Sequence, residues 1–345
     1  MASVAAAIAT ECASGSAWSC DLLDSGGGAG RRGYGRFPAS LVAVGRRDYD
    51  VLHLHVASKG STLRKAVMAR VARRRSLPYV IHLHGAGYVD FLDRCGPRAL
   101  AAVQRFYAEA ARVIVLGRQW HDLVENRLRV PPERIITVPN GVSPVLLDDR
   151  PDVGLNTTVL AVGELSHRKG VDLLLTALAT VLRQERFGQV RAALVGTTPD
   201  ERILTFARAL SQELDGRVEV TGPLFGADKR HRFASAAVLC LPSRAEALPM
   251  TLLEAMSAGV PCITTDVGSI GEIFPEGSRS GAIVLPEPDA PALATALEGL
   301  LADPEKRRAM GAAGRTRWES TYTAAAMTGR IQETWQAAIS DSSTA

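Results

Sequence analysis

At 345 residues the chain is about twice the length of a common domain, which predicts two domains, each large enough to bury its own core. Apolar residues make up 46% and charged residues 22% of it, a balance that excludes a disordered or fibrous chain. Through Arg150 there are 21 Lys and Arg against 13 Asp and Glu, and beyond it 19 against 23. The basic first half calls for an anionic partner: nucleic acid, a membrane surface or a phosphorylated substrate.

The five cysteines, Cys12, Cys20, Cys95, Cys240 and Cys262, show no C-x-x-C spacing, and an odd number leaves no complete disulfide set. A reduced, cytoplasmic setting without a structural zinc is expected. No apolar run approaches the roughly 20 residues of a membrane span, and the Ala-rich opening lacks the basic start of a signal peptide. The protein is expected to be soluble, and at most peripheral at the inner face of the cell membrane.

In chain order, a helix and a short strand at Asp21–Leu23 open the first half. The glycines from Gly26 to Gly35 make 25–35 a mobile loop. Strands are predicted at Val51–Val56, Tyr79–Leu83, Val113–Leu116 and Ile135–Val138. Pro139-Asn140-Gly141-Val142 reads as a strand end and tight turn, and the polar stretch Asp148–Asn156 as a linker.

Beyond it the rhythm of strand and helix is clearer. Thr157–Val162, Val190–Val195, Val218–Thr221, Val238–Leu241, Pro261–Thr264 and Ala282–Leu285 read as strands. Between the first two, Val171, Leu174, Leu175, Leu178, Val181 and Leu182 recur at helical spacing. Further helical patterns cover Pro291–Leu301 and Thr321–Ile339. The fold class is α/β, with two doubly wound Rossmann-like domains, each a parallel sheet flanked by helices. Domain boundaries are placed at 1–147 and 157–315, and 316–345 is a C-terminal helix packing back toward the first domain.

The stretch from Pro242 to Gly259 carries the strongest chemical signal. Pro249 suits a first helical turn, Gly259 a helix stop, and Pro261 forbids continuation. Glu246 is therefore placed in the loop and Glu254 on the helix, at the carboxyl end of a strand, where ligands of doubly wound sheets bind. A carboxylate can accept two neighbouring hydroxyls of a ribose or a sugar. Surface glutamates show the same spacing, so the second loop decides. In Gly163-Glu164-Leu165-Ser166-His167-Arg168-Lys169-Gly170, two cations stand just before a helix start that itself attracts phosphate.

The E-x7-E spacing of Glu246 and Glu254, with Pro242-Ser243 before it and Glu254-Ala255-Met256-Ser257-Ala258-Gly259-Val260-Pro261 completing it, resembles the retaining glycosyltransferases of family 4. Lys169-Gly170, Pro139-Asn140-Gly141-Val142 and His84-Gly85 extend the resemblance over about 50–318. It implies the two-domain GT-B fold and transfer from a nucleotide-diphosphate sugar donor to a glycan, lipid-linked or other hydroxyl acceptor. It further implies retention of anomeric configuration, no cofactor and no essential metal. Residue by residue, it gives Glu254 the ribose, Glu246 the donor sugar, Lys169 the diphosphate, Leu248 a place at the donor, and His84 a catalytic approach to the sugar; Arg168, by its own place before the helix, is expected at the diphosphate beside Lys169. His82 alternates with His84 and is expected on the same face. Glu164 departs from the family, which has Arg after the loop glycine.

Family members open with a strand and a Gly-rich loop, whereas Met1–Ile8 already resembles their first helix. The first domain is thus expected to lack its opening strand and loop and to expose strand edges and apolar surface. Two further readings stay open: an inactive nucleotide-sugar-binding homologue, and a GT-B-like sugar-nucleotide epimerase or phosphorylase. Ser58 and Ser61 can bind an acceptor or phosphate, or cap a helix. Arg70, Arg73, Arg74 and Arg75 form a basic helix end suited to solvent or to an anionic membrane. No nucleic-acid partner is expected, since aromatics do not interleave with these cations.

Overall fold

The computed structural model describes residues 2–26, 36–145 and 152–343. Most of the glycine-rich stretch predicted as a mobile loop, 27–35, and part of the predicted linker, 146–151, lie outside the described residues. The chain forms two compact units, one of 1–141 with 324–345, the other of 142–323.

The first unit opens with α1 (Ala2–Ala13) and α2 (Arg36–Arg46), then alternates β1 (Leu52–Val56), α3 (Gly60–Arg73), β2 (Tyr79–Leu83), α4 (Tyr88–Asp93), α5 (Pro97–Ala108), β3 (Arg112–Val115), α6 (Arg118–Asn126) and β4 (Ile135–Thr137). The four strands are parallel and lie in chain order, so β1 is an edge strand among the described residues. Its sequence LHLHV alternates: Leu52, Leu54 and Val56 are buried, while His53 and His55 stand on the other face. The strand predicted at Asp21–Leu23 does not form; 21–26 is irregular. The polar groups of that segment are taken sideways instead: Arg47 and Tyr49 bind the Asp21 carboxylate at 2.6 and 3.0 Å, and Ser40 Oγ donates to the Asp24 carbonyl at 2.8 Å.

The second unit holds β5 (Thr158–Val162), α7 (Val171–Leu182), β6 (Arg191–Val195), α8 (Glu201–Glu213), β7 (Val218–Gly222), α9 (Gly226–Ala234), β8 (Ala236–Leu241), α10 (Met250–Ala258), β9 (Cys262–Thr265), α11 (Ile270–Ile273), β10 (Ala282–Leu285), α12 (Ala290–Leu301) and α13 (Pro304–Thr321). Its six parallel strands run β10-β9-β8-β5-β6-β7. β5 leads outward to β6 on one side and has β8 on the other, so the order reverses between β5 and β8. The apolar stripe of α7 is buried as its spacing predicts, with Leu174, Leu175, Leu178 and Val181 at most 1% exposed.

Two features escaped the sequence reading. The first is α13, whose glycines weaken a helical pattern; a Cβ at Gly311 would stand 2.1 Å from the Gly259 carbonyl, so the close crossing of α13 over the end of α10 requires glycine. The second is Arg307, 4% exposed, which donates to the carbonyls of Leu300, Leu301 and Gly154 at 2.6, 2.8 and 2.6 Å and fastens the start of the unit to the α12–α13 turn.

The chain passes between the units at two neighbouring points. Val142 N–H donates to the Tyr322 carbonyl at 3.0 Å, and Val142 forms a parallel bridge with Thr323. The division thus falls at Gly141, ahead of the predicted linker, because Val142 is already hydrogen-bonded into the second unit. The segment placed at 316–345 as one helix is divided between the end of α13 and α14 (Ala324–Ser343), and α14 belongs to the first unit.

Candidate functional site

In the second unit the site is built at the carboxyl ends of β5 and β8, where the strand order reverses and parallel sheets open a crevice. Strand β5 runs into the loop 163–170, which ends in a 3-10 turn, His167–Lys169, and in Gly170, whose φ of 69° starts α7. Strand β8 runs into 242–249, which starts α10 at Pro249 and stops it at Gly259, φ 73°. Neither helix start is capped by a side chain, and although Val171 and Leu252 N–H already donate to the Ser166 and Pro249 carbonyls, the partial positive charge of each first turn favours an anion.

The two loops touch. A Cβ on Gly170 would lie 1.9 Å from the Pro242 carbonyl oxygen, Arg244 N–H donates to the Arg168 carbonyl at 2.8 Å, and Arg168 donates to the Ala245 carbonyl at 3.0 Å. Arg244 grips Asp172 with two parallel hydrogen bonds of 2.8 and 2.7 Å and donates to the His167 carbonyl at 2.6 Å. Burial opposes ionisation of Asp172, but the Arg244 guanidinium outweighs it and holds the carboxyl below its usual range.

Glu246 lies inside this junction, 8% exposed. Lys169 Nζ stands 2.5 Å from its Oε1, Arg168 3.6 Å from it, and Ser243 Oγ donates to it at 2.9 Å. All three contacts fall on one oxygen, which leaves Oε2 with no partner among the described residues. Leu248 is buried in the same turn. Glu254 sits one helical turn inside α10 and is held apart from this cluster: both its oxygens accept from Lys229 of α9, at 2.7 and 2.8 Å. Glu164, where the family has a cation, is 3.9 Å from Arg168.

Arg168, Lys169 and Glu246 are thus brought together as the sequence placed them, with Glu254 in a separate pair. Lys229, Arg244, Asp172 and Ser243 were missed. Arg244 and Ser243 lie within the stretch already singled out, but nothing in the GADKRHRFA segment marks Lys229.

His84 belongs to the first unit, directly after β2. Its Nε2 is 2.8 Å from His55 Nδ1, and its ring lies 3.9 Å from that of His82, on the same face as expected. Burial first, then neighbouring imidazoles, pushes the pKa values of His82 and His84 well below the usual range, so both are neutral. His53, His55 and His82 bring ligand nitrogens within 4.8 Å of one another, a spacing open to a metal ion. The hydrogen bonds oppose that use. Trp335 Nε1–H of α14 donates to His53 Nδ1 at 3.1 Å, which puts the His53 proton on Nε2, facing His82 Nδ1 at 3.3 Å. A cation on His53 Nε2 needs that proton on Nδ1 instead.

Comparison with known proteins agrees with this architecture. Residues 150–317 match the family model described as glycosyl transferases group 1, and 13–141 match the glycosyl transferase 4-like domain. An alpha-D-kanosaminyltransferase of Streptomyces kanamyceticus is 28% identical over 75% of this chain and 70% of its own. A phosphatidyl-myo-inositol mannosyltransferase of Mycobacterium leprae is 28% identical over 77% of this chain and 68% of its own. Among solved structures, Anabaena HepE in complex with UDP-glucose superposes with a TM-score of 0.68 at 20% identity, covering 87% of this chain and 82% of HepE. With two parallel-sheet α/β units, as the GT-B fold has, and each unit matched by a glycosyltransferase family model, the chain belongs to the family 4 glycosyltransferases.

Proposed function

We propose that the protein is a retaining glycosyltransferase that moves a sugar from a nucleotide-diphosphate sugar to a glycan or lipid-linked hydroxyl acceptor. The observation that carries the donor half is the meeting of Lys169, Arg168 and Glu246 at the β5–β8 switch, beside two uncapped helix starts. In this reading Lys169 and Arg168 hold the diphosphate and, with the helix amides, stabilise the negative charge that grows on it as the glycosidic bond breaks. The unoccupied Oε2 of Glu246 accepts from the donor sugar. Glu254, steadied by Lys229, retains lone pairs for the ribose hydroxyls. Leu248 lines the donor, and His84 is the first unit's contribution at the sugar, where positive charge gathers on the anomeric carbon. The resemblance supports retention, with the acceptor attacking the face that the diphosphate leaves.

UDP-glucose in the structurally similar HepE makes a UDP-sugar the first donor to test. The mannosyltransferase relative, whose name specifies phosphatidyl-myo-inositol, supports a lipid-linked acceptor. Peripheral contact with an anionic membrane from the cytoplasmic side fits the exposed Leu63 and Val67 on α3, with Arg70 and Arg74 following. Arg73 and Arg75 serve it less, being paired with Glu109 and Asp48. No described helix is long and apolar enough to cross a membrane.

A second reading, nucleotide-sugar binding without transfer, is favoured by the acid Glu164 beside Arg168. The experiment is a screen of UDP-, GDP- and ADP-sugars over an acceptor panel, scoring nucleotide release and the anomeric configuration of any product. Release with a retained configuration supports transfer. Binding without release supports the second reading, and the absence of binding to every donor overturns both.

A further inference from the structure

The turn 243–247, which carries Glu246, belongs to no helix or strand, and no backbone hydrogen bond joins two of its own residues. Its shape is therefore set by what grips it from outside. On one side the loop after β5 takes Arg244 N–H and the Ala245 carbonyl, both through Arg168. The carbonyls of Ser243, Glu246 and Ala247 meet a third segment, the end of β9 and the loop 266–269 that leads into α11.

Thr265 closes β9, fully buried, and its hydroxyl donates to the Ser243 carbonyl at 2.5 Å. Ser269 N–H donates to the Ala247 carbonyl at 2.9 Å. Between these two bonds stands Gly268, at φ 64°, where a Cβ would lie 2.2 Å from the Glu246 carbonyl oxygen and 2.9 Å from that of Ala247. A side chain at 268 would push the turn away, so only glycine admits this approach. Ser243, whose carbonyl Thr265 holds, also donates its Oγ to Glu246 Oε1 at 2.9 Å. Backbone and side chain of Glu246 are thus tied to the same anchor. Buried carbonyls need donors throughout a core; here the donors fall on both sides of one residue, in a turn that supplies none of its own.

We propose that Thr265, Gly268 and Ser269 are positioning residues for the donor sugar: they fix the backbone on both sides of Glu246 and thereby the place of its Oε2. The proposal rests on the reading of Glu246 as the carboxylate that meets that sugar. Placement matters there because a shift of about 1 Å in a group that orients a substrate can cost about a hundredfold in rate.

The test uses the full chain. Thr265→Val keeps the shape and leaves the Ser243 carbonyl without its donor, Thr265→Ser restores the hydroxyl, and Thr265→Ala serves should the valine variant fail to fold. Amide hydrogen exchange over 243–249 should be about tenfold faster in Thr265→Val than in the native and Thr265→Ser chains, with β5 and β6 unchanged. Affinities for UDP-glucose and UDP are then compared by calorimetry, or for GDP-mannose and GDP if the donor screen returns guanine. The affinity of the sugar nucleotide relative to the bare nucleotide should fall about tenfold in Thr265→Val, as in Glu246→Ala, and recover in Thr265→Ser. A merely structural threonine would instead weaken both ligands alike and speed exchange throughout the second unit, and that result overturns the proposal. So does unchanged exchange over 243–249 in folded Thr265→Val or Thr265→Ala, or a native affinity ratio in Thr265→Val when Glu246→Ala has lost it. A native ratio in Glu246→Ala itself is a different failure: it removes the donor-sugar reading of Glu246, and the positioning role with it.

Discussion

Arg244 and Asp172 join the two loops of the candidate site through a paired guanidinium–carboxylate contact, 2.8 and 2.7 Å long. Arg244→Ala should lower stability by about 1 kcal/mol, the modest figure suited to a pair whose side chains are 28% and 33% exposed. It should raise the donor KM several-fold with a smaller change in kcat. Urea unfolding and steady-state kinetics check this, and a variant with native KM removes the positioning role. Because Asp172 is held below its unfolded pKa, its contribution is complete above about pH 4, the unfolded value, and is lost as pH falls through the lower folded value.

Gly170→Ala meets two obstacles at once: a φ of 69°, and a carbonyl oxygen 1.9 Å from the new methyl. A loss of about 3 kcal/mol or more is expected, read as a drop in thermal midpoint. A variant as stable as the native protein would mean that the 163–170 and 242–249 loops do not cross this closely.

Glu254 and Lys229 form a pair that sequence spacing alone cannot assign. Glu254→Ala should weaken nucleotide-sugar binding tenfold or more, and Lys229→Met should weaken it less, through loss of the carboxylate's fixed position. A double-mutant cycle should give a coupling of about 1 kcal/mol. Independent effects would show that Lys229 does not orient Glu254.

The imidazoles of the first unit predict acid sensitivity. Burial brings His53 down to about 3, whereas an unfolded histidine titrates near 6.5. Below about pH 6.5 the unfolded chain takes up protons that the folded chain refuses. Stability is therefore full above that pH and is lost toward pH 3, by about 1.4 kcal/mol per pH unit for each such group. His82, fully buried and lowered as well, adds to the slope. Denaturant midpoints measured from pH 7 to pH 4 should fall steeply, and His82→Gln should flatten the dependence.

Where the sequence spoke plainly, a local rule fixed the backbone. Pro249 and Gly259 delimit α10 because one cannot donate within a helix and the other takes the left-handed turn that ends it. The meeting of Glu246 and Lys169 was legible because each follows the carboxyl end of a strong β signal, and those two strands are neighbours in the sheet. Lys229 was illegible for the opposite reason: it reaches Glu254 from another helix, and no spacing in the chain encodes that approach. The strand read at Asp21–Leu23 shows a third case. Two leucines after an acid are too short a signal to fix a strand, and Asp21 turned to Arg47 and Tyr49 instead.

The return of the chain through Thr323 has a consequence for synthesis. Trp335, which orients the imidazole row of the first unit through His53, is translated only after the whole of 142–323. The unit begun first is therefore finished last. The second unit has all its strands in hand before α14 emerges, while the first sheet must wait with its histidine face uncovered. A nascent chain halted before Ala324 should carry a protease-resistant second unit and a first unit that is still open to attack.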